Sequence, residues 1–383
     1  MRHYETESVV IIPDHKEVDH WTLKTILKQV ERFLKKSSSD IYNEVGFRLR
    51  VQPLGIFLAD MECHRAWDIG PGQCKIMDTG YIPARKSQLK FYKEIELFNK
   101  VTDSGFVLYK RSGVTLGEMR IDQGTHPVKL YIKQSEKLKG LQEAQKGFNR
   151  QLEEDVKSKN PTKVKETLVT VVTETLAEPR SGSLEGVSDT VSILVSDYSK
   201  ESNVVRNLID MSHSDYSTVL HSINVMAFAL GFAFHINCSR DETKVLGLCG
   251  LLHDVGKTKI NQQLLAAPRK LTDEEFEEIK SHTTLGFNIL RRCKFNDEKI
   301  SLAALEHHEK LDGSGYPQKK TRISQVAQTI GIIDCYEALT NDDRPYRNSM
   351  GVFDTLEEII GKEVKEGKYN KDIYCQFVRS LSS

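Results

Sequence analysis

Two short histidine-containing segments are the best guide to the architecture: residues 251–257 read LLHDVGK, and residues 307–317 read HHEKLDGSGYP. In each stretch the apolar spacing before the histidines predicts a helix that ends at them. The capping-box patterns Ser239–Glu242 and Thr272–Glu275 predict the starts of two more helices. Residues 187–383 therefore predict an all-α bundle whose helix ends carry histidine and aspartate.

Five histidines and two aspartates in this half recur about once per helix and return connection, so successive helices bring them to one end of a bundle. Helical phase places His282 and Asp334 on apolar, inward faces. A buried carboxylate costs several kcal/mol unless a cation pairs with it. One inward histidine alone is typical of core packing, but the full set favours a metal site. The candidate ligands are His221, His253, Asp254, His282, His307, His308 and Asp334.

Imidazole and carboxylate ligands without thiolates favour iron or manganese, with zinc as an alternative. Seven ligands are too many for one ion, and an aspartate can bridge two, so we expect two divalent metal ions per chain. Paired metals activate water and clamp the oxygens of a phosphoryl displacement, which predicts hydrolysis of a phosphate ester. Lys257 is a candidate for holding a phosphate oxygen; a surface lysine just past a helix end at Gly256 is the equal alternative.

LLHDVGK followed by HHEKLDGSGYP resembles the HD-GYP family, a group of HD-superfamily metal phosphohydrolases that hydrolyse the bacterial second messenger cyclic di-GMP. The resemblance covers roughly residues 187–383. It implies a helical HD domain, a centre of two or three metals, and cleavage to linear pGpG and in some members to GMP. It also implies the seven ligands named above, Asp254 as the bridge beside the catalytic water, and Lys257 as the lysine that offsets charge in the transition state.

The resemblance extends to the expected substrate side of the site. Gly313, Gly315, Tyr316 and Pro317 would form the GYP loop, which in this family contacts substrate or GGDEF-domain partners, although a plain Gly/Pro turn is the alternative. Arg344 and Arg347 resemble the basic residues that face the dinucleotide, with a surface ion pair as the alternative.

Three positions depart from the family pattern. Trinuclear members carry a glutamate four residues before the first histidine, where this chain has Ser217, so we predict two metals and not three. The segment between Asp334 and Arg344 is one residue longer than usual, which weakens the assignment of Arg344. Thr283 replaces a common proline, with no expected effect.

The remainder of the chain predicts two further parts. Residues 1–133 indicate a smaller α+β regulatory or sensory domain of unknown type, with strands near 9–12, 47–58 and 105–109 and a helix over 21–34. Residues 134–186 predict two linker helices that break at Asn160–Pro161 and either transmit a signal, pair two copies of the chain in a homodimer, or are simply solvated.

Composition excludes several classes of protein. Lys+Arg and Asp+Glu both total 54, so the basic excess of a nucleic-acid-coating protein is missing. The start shows no signal-peptide pattern, and the apolar run over 225–234 is too short to span a bilayer. The 7 cysteines have no CxxC spacing, which favours reduced thiols. We therefore expect a cytoplasmic protein without a membrane span.

Two alternatives to a cyclic di-GMP phosphodiesterase stay open. One is a catalytically weak module that binds cyclic di-GMP and contacts GGDEF partners through the GYP loop. The other is a hydrolase of a different cyclic dinucleotide such as 3′,3′-cyclic GMP-AMP, because the sequence does not place the residues that select the base.

Overall fold

The chain divides into two compact units, Met1–Met77 and Asp78–Ser383. A computed structural model describes residues 48–51, 57–60, 80–102, 105–117, 127, 129–179, 184–198, 218–267, 269–295, 297–341 and 350–381. In the first unit it shows an antiparallel pair, β1 (Arg48–Val51) and β2 (Phe57–Asp60), within the predicted β-rich stretch. The strand and helix predicted over 9–12 and 21–34 lie outside the described residues. The predicted boundaries at residues 133 and 186 stay predictions.

The second unit begins with a four-stranded antiparallel sheet. Its strands lie in the order β3, β6, β4, β5, and the predicted strand near 105–109 is the edge strand β5. The strands are β3 (Tyr81–Pro83), β4 (Leu97–Lys100), β5 (Phe106–Lys110) and β6 (Tyr131–Lys133).

The two linker helices follow, α1 (Lys137–Lys157) and α2 (Pro161–Leu176). The side chain of Asn160 accepts a hydrogen bond from the amide of Lys163 at 3.2 Å, and the proline after it opens α2, as the sequence predicts. Phe148 of α1 packs into the core beneath the sheet, whereas Leu152, one turn later, packs into the main helical core. One helix therefore belongs to both cores.

The rest of the second unit is helical, and the mostly helical architecture with a small antiparallel sheet confirms the predicted fold class. The helices are α3 (Gly186–Tyr198), α4 (Thr218–His235), α5 (Arg240–Leu252), α6 (Gln262–Leu265), α7 (Asp273–Lys280), α8 (His282–Arg291), α9 (Lys299–Glu306), α10 (Gln325–Thr340), α11 (Val352–Asp354), α12 (Gly361–Lys365) and α13 (Lys371–Ser380). Short 3₁₀ turns occupy Leu89–Phe91, Gln134–Glu136 and Val255–Lys259, and a π-helical turn occupies Thr355–Ile360.

Both predicted capping boxes are present, at the starts of α5 and α7. The helix predicted to run onward from Thr272 through His282 is, however, interrupted. It breaks at Ser281, whose hydroxyl donates to the carbonyl of Glu278 at 2.6 Å. Such bonding back to the preceding turn competes with the helical pattern, and His282 consequently becomes the first residue of α8.

Within the described part of the chain, α4 is the one helix long and apolar enough to cross a membrane by composition, with a mean hydropathy of 1.4. Of that window, 67% is buried inside the protein, and α4 packs against α5 and α10. These contacts are those of a core helix.

Candidate metal centre

The helix ends of the second unit bring the seven predicted ligands together at one place. They come from α4, from the turn after α5, from the start of α8, from the end of α9 and from the middle of α10. Six of them are buried; the side chain of His308 is 27% exposed and lies at the open side. The cluster contains His221, His253, Asp254, His282, His307, His308 and Asp334.

The imidazoles form two adjacent groups. On one side, the Nε2 atoms of His221 and His253 lie 3.2 Å apart; on the other, those of His282 and His307 lie 3.3 Å apart, with His308 beside them. In each group, one ligand atom per residue lies within 4.8 Å of the others, close enough to hold a metal ion.

Asp254 lies between the two groups and turns one carboxylate oxygen towards each. Oδ2 is 3.5 Å from His221 Nε2 and 3.4 Å from His253 Nε2, whereas Oδ1 is 3.3 Å from His282 Nε2 and 3.9 Å from His307 Nε2. Oδ1 is buried and accepts no hydrogen bond from the described residues. A buried anionic oxygen without donors needs a cation, so the donor set fits metal binding.

Asp334 lies across the same two groups from α10. Its Oδ1 is 3.1 Å from His221 Nε2 and 3.9 Å from His253 Nε2, and its Oδ2 is 3.9 Å from His308 Nδ1. The two aspartates thus flank the imidazoles with four carboxylate oxygens, which supplies the negative charge that two divalent ions require.

The outer ring nitrogens fix the orientation of four histidines. The Nδ1 atoms of His253 and His282 each lie 2.7 Å from a main-chain carbonyl of the preceding turn, and that of His307 lies 3.1 Å from two such carbonyls. His221 Nδ1 instead lies 2.5 Å from Oε2 of Glu337. With Nδ1 held in this way, Nε2 of each ring faces the centre, and it is the atom through which these histidines would bind a metal.

Burial and neighbouring charges keep three of the histidines and Asp254 in the protonation states that bind metals. Burial lowers the pKa of His282, holds that of His307 well below its usual range and lowers that of His308 to about 3, so these three imidazoles are neutral at pH 7. Burial alone would raise the pKa of Asp254, but Lys257 and the nearby histidines hold it well below its usual range. Neutral imidazoles and ionised carboxylates are the forms that bind metals.

His221 differs from the other histidines. Burial would lower its pKa, but Glu337 and Asp334 together raise the pKa to about 9. A metal that bound at Nε2 of His221 would displace a ring proton.

Two glycines permit the close approach of the ligand-bearing segments. A Cβ atom at Gly256 would lie 1.9 Å from the carbonyl oxygen of His282, and one at Gly331 would lie 2.4 Å from that of His307. Neither position tolerates a side chain without movement of a ligand-bearing backbone.

Lys257 reaches the centre from the turn that follows α5. Helix α5 ends at Leu252, and Lys257 lies in the following 3₁₀ turn with Nζ 2.5 Å from Oδ2 of Asp254. The lysine thus contacts the carboxylate of Asp254, and its side chain is 20% exposed.

The GYP loop lies against the open side of the cluster. The ring of Tyr316 stacks on that of His308, with centroids 4.7 Å apart and an interplanar angle of 30°. Gly313 has φ of +79°, and a Cβ atom at Gly315 would lie 2.4 Å from the amide of Lys310, so both positions require glycine. Pro317 follows Tyr316 within the same loop.

Glu309, in the middle of the HHE string, anchors this loop. The carboxylate is buried and accepts hydrogen bonds from the amides of Gln318 at 2.6 Å and Lys320 at 3.0 Å. This role was not predicted from the sequence, although the position of Glu309 directly after two candidate ligands was a usable signal.

Replacement of Glu309 by alanine is expected to lower the free energy of unfolding by about 1–3 kcal/mol, because two main-chain amides lose their acceptor. Urea denaturation would measure the loss of stability. Limited proteolysis should in addition show faster cleavage within residues 313–321. Glu277→Ala is the matched control, since the side chain of Glu277 is 70% exposed and its ion pair with Lys280 is solvated. Equal unfolding midpoints for the two variants would contradict the anchoring role.

Ser217, Arg344 and Arg347 lie outside the described residues, so the predictions made for them stay predictions. Glu337 is the second residue that the sequence analysis missed. It lies three residues after Asp334 on α10, and this spacing on one helical face was the available signal.

The region that holds this centre is similar to known proteins. Residues 203–373 match the model of the HD domain family, a family of metal-dependent hydrolases. A cyclic di-GMP phosphodiesterase of Pseudomonas aeruginosa is 30% identical over 196 residues, which is 51% of this chain and 46% of that protein. A 3′3′-cGAMP-specific phosphodiesterase of Vibrio cholerae is 33% identical over 165 residues, covering 43% of this chain and 38% of that protein.

A cyclic di-GMP phosphodiesterase of Thermotoga maritima is 38% identical over 134 residues, covering 33% of this chain and 35% of that protein. The chain thus spans less than half the length of these curated relatives. Among solved structures, an HDGYP protein from Bdellovibrio bacteriovorus shares the fold, with a TM-score of 0.53 and 17% identity over 79% of this chain and all of that one.

Proposed function

We propose that the protein is a metal-dependent phosphodiesterase that hydrolyses cyclic di-GMP to linear pGpG, because residues 203–373 match the HD domain family and the chain is similar to cyclic di-GMP phosphodiesterases and to an HDGYP protein. One observation carries the proposal. The carboxylate of Asp254 lies between the two imidazole groups, with one oxygen facing each group. Its buried Oδ1 accepts no hydrogen bond from the described residues.

Two ions of iron or manganese fit this donor set, which is built from imidazole and carboxylate and contains no thiolate. His221 and His253 would hold one ion and His282, His307 and His308 the other, with Asp254 and Asp334 shared between them. When bound, the metals supply an activated water and neutralise charge on the phosphate.

The chain's own residues supply the remaining chemistry. The five imidazoles and two aspartates would hold the metals in place, and six of the seven are buried while the side chain of His308 is 27% exposed. Lys257, whose side chain is 20% exposed, is positioned beside Asp254 to hold a phosphate oxygen and to offset charge as the transition state forms. The phosphodiester would enter beside His308 and Tyr316.

Lys257→Ala is expected to lower kcat by roughly a hundredfold, the effect typical of removing one group that stabilises transition-state charge. Both metals should stay bound, because Lys257 is not a ligand. Lys259→Ala is the matched control: Lys259 is exposed on the same 3₁₀ turn and should leave kcat unchanged. Steady-state kinetics with cyclic di-GMP, together with metal analysis, measure both effects; an unchanged kcat for Lys257→Ala would remove the lysine from the reaction.

The proposal is tested on one anaerobic preparation by counting metals with mass spectrometry and following cyclic di-GMP by chromatography. Two metals per chain with conversion to pGpG support it. Two metals with tight binding but no turnover would overturn it in favour of a binding or scaffold module. Absence of metal would mean that the buried histidines serve packing alone.

A second substrate has a specific observation in its favour, because the Vibrio cholerae relative named above is a 3′3′-cGAMP-specific phosphodiesterase. The same chromatographic assay with 3′,3′-cyclic GMP-AMP distinguishes the two. A larger kcat/KM for cyclic GMP-AMP than for cyclic di-GMP would replace the proposed substrate while leaving the metal chemistry in place.

A further inference from the structure

The outer hydrogen bonds of the histidines are not equivalent. Three of them lie against neutral main-chain carbonyls, as described above. His221 lies against the carboxylate of Glu337, at 2.5 Å between Nδ1 and Oε2. A carboxylate forms a stronger, charge-assisted hydrogen bond than a carbonyl does, and it makes the imidazole a better electron donor to a metal at Nε2.

Glu337 is itself held in place by two amide side chains. It is 2% exposed, and its Oε1 accepts hydrogen bonds from Nδ2 of Asn224 and from Nδ2 of Asn341, both at 2.8 Å. Asn224 lies three residues after His221 on α4, and Asn341 caps the end of α10. Because the amides occupy Oε1, the other oxygen is directed to His221.

We propose that Glu337 is a positioning residue that fixes the tautomer and donor strength of His221, and thereby makes the metal position at His221 and His253 the tighter of the two. The other position, at His282, His307 and His308, has no comparable carboxylate behind the imidazoles among the described residues. This inference rests on the proposed metal centre, but it concerns the inequality of the two positions and not the substrate.

Glu337→Gln gives a sharp test because the substitution preserves shape. The two asparagine amides still require an acceptor, so the glutamine carbonyl takes the place of Oε1 and its NH₂ group faces His221. An NH₂ group can only donate, so Nδ1 must accept and the ring proton moves to Nε2, the atom that a metal needs. The substitution therefore blocks coordination by His221 without opening a cavity.

The measurement is a calorimetric titration of Mn²⁺ into the chelator-stripped protein. The wild type should bind in two phases of different affinity, and Glu337→Gln should weaken the tight phase by about 10- to 100-fold while leaving the weak phase unchanged. His282→Ala assigns the phases, since it should remove the weak phase and retain the tight one. Glu337→Asp keeps a carboxylate and should restore the tight phase to within about tenfold of the wild type.

Two results would overturn the inference alone: an unchanged tight phase in Glu337→Gln, or an equal loss of both phases in a variant whose circular dichroism is that of the wild type. The second result would give Glu337 a general structural role. If Glu337→Gln fails to fold, Glu337→Asp carries the test, and loss of its tight phase would equally contradict positioning. A wild type that binds no Mn²⁺ would overturn the inference and the proposed function together, whereas two phases without cyclic di-GMP hydrolysis would overturn only the latter.

Discussion

Asp254→Asn is expected to reduce the metal content from two ions per chain to one or none and to lower the hydrolysis of cyclic di-GMP by more than about a thousandfold. Four imidazole Nε2 atoms lie within 3.9 Å of the two carboxylate oxygens. The asparagine amide retains the shape but loses the negative charge, and it turns an NH₂ donor towards one imidazole group. The side chain could then no longer bind a metal on both sides. Because the metals would supply most of a rate enhancement that reaches 10⁶ or more in enzymes, the loss is large.

Asp241→Asn is the matched control for this change. Asp241 is exposed in the first turn of α5, the same helix that leads to the metal centre, and it lies outside the cluster. Metal analysis by mass spectrometry and chromatography of the nucleotide would be run on both variants. Asp254→Asn with two metals and full turnover would show that the carboxylate is not a bridge, and the mechanism would then have to be abandoned.

Gly256→Ala is expected to lower the free energy of unfolding by about 3 kcal/mol or more, at the upper end of overpacking effects. The added methyl group would lie 1.9 Å from the carbonyl oxygen of His282 and 2.6 Å from the amide of Gly286. Both obstacles are backbone atoms, so no side-chain rotation relieves the clash. Helix α8 must shift, and it carries His282 out of its group; metal content should fall with stability.

The chain offers a matched glycine for comparison. Gly231 lies within α4, and a Cβ atom there would meet nothing within 4 Å. Gly231→Ala should therefore stabilise the protein by about 0.5–1 kcal/mol, the usual gain in a helix interior. Urea denaturation measures the change in unfolding free energy of the two variants. Equal, small changes would show that α8 tolerates displacement from the turn that contains Gly256.

The convergence of the ligands was predictable from the sequence because they recur about once per helix, at helix ends or on apolar helical faces. His282 and Asp334 illustrate this: both were predicted to face inward, and both are buried. The resemblance to the HD-GYP family, carried by two short strings, is confirmed by the comparisons. Local cap motifs were equally informative, since Asn160, Ser239 and Thr272 all act as predicted.

Other features depend on contacts between segments far apart in the chain, and the sequence does not reveal those. Glu337 looks like an ordinary charged residue of α10 until His221, 116 positions earlier, is seen against it. The end of α5 at Leu252 and the break at Ser281 both lie where Gly256 approaches the backbone of His282. Helical periodicity alone extends through both positions.

The position of α1 in two cores has a consequence for how the second unit folds. Phe148 completes the core under the sheet with Val171 of α2, and Leu152 lies in the core that surrounds the ligand-bearing helices. If the sheet separated from the helical bundle, one set of these side chains would be exposed to water. The free energy required is proportional to the apolar area uncovered. Sheet and bundle are thermodynamically linked, so the metal centre draws part of its cooperative stability from strands that contribute no ligand to it.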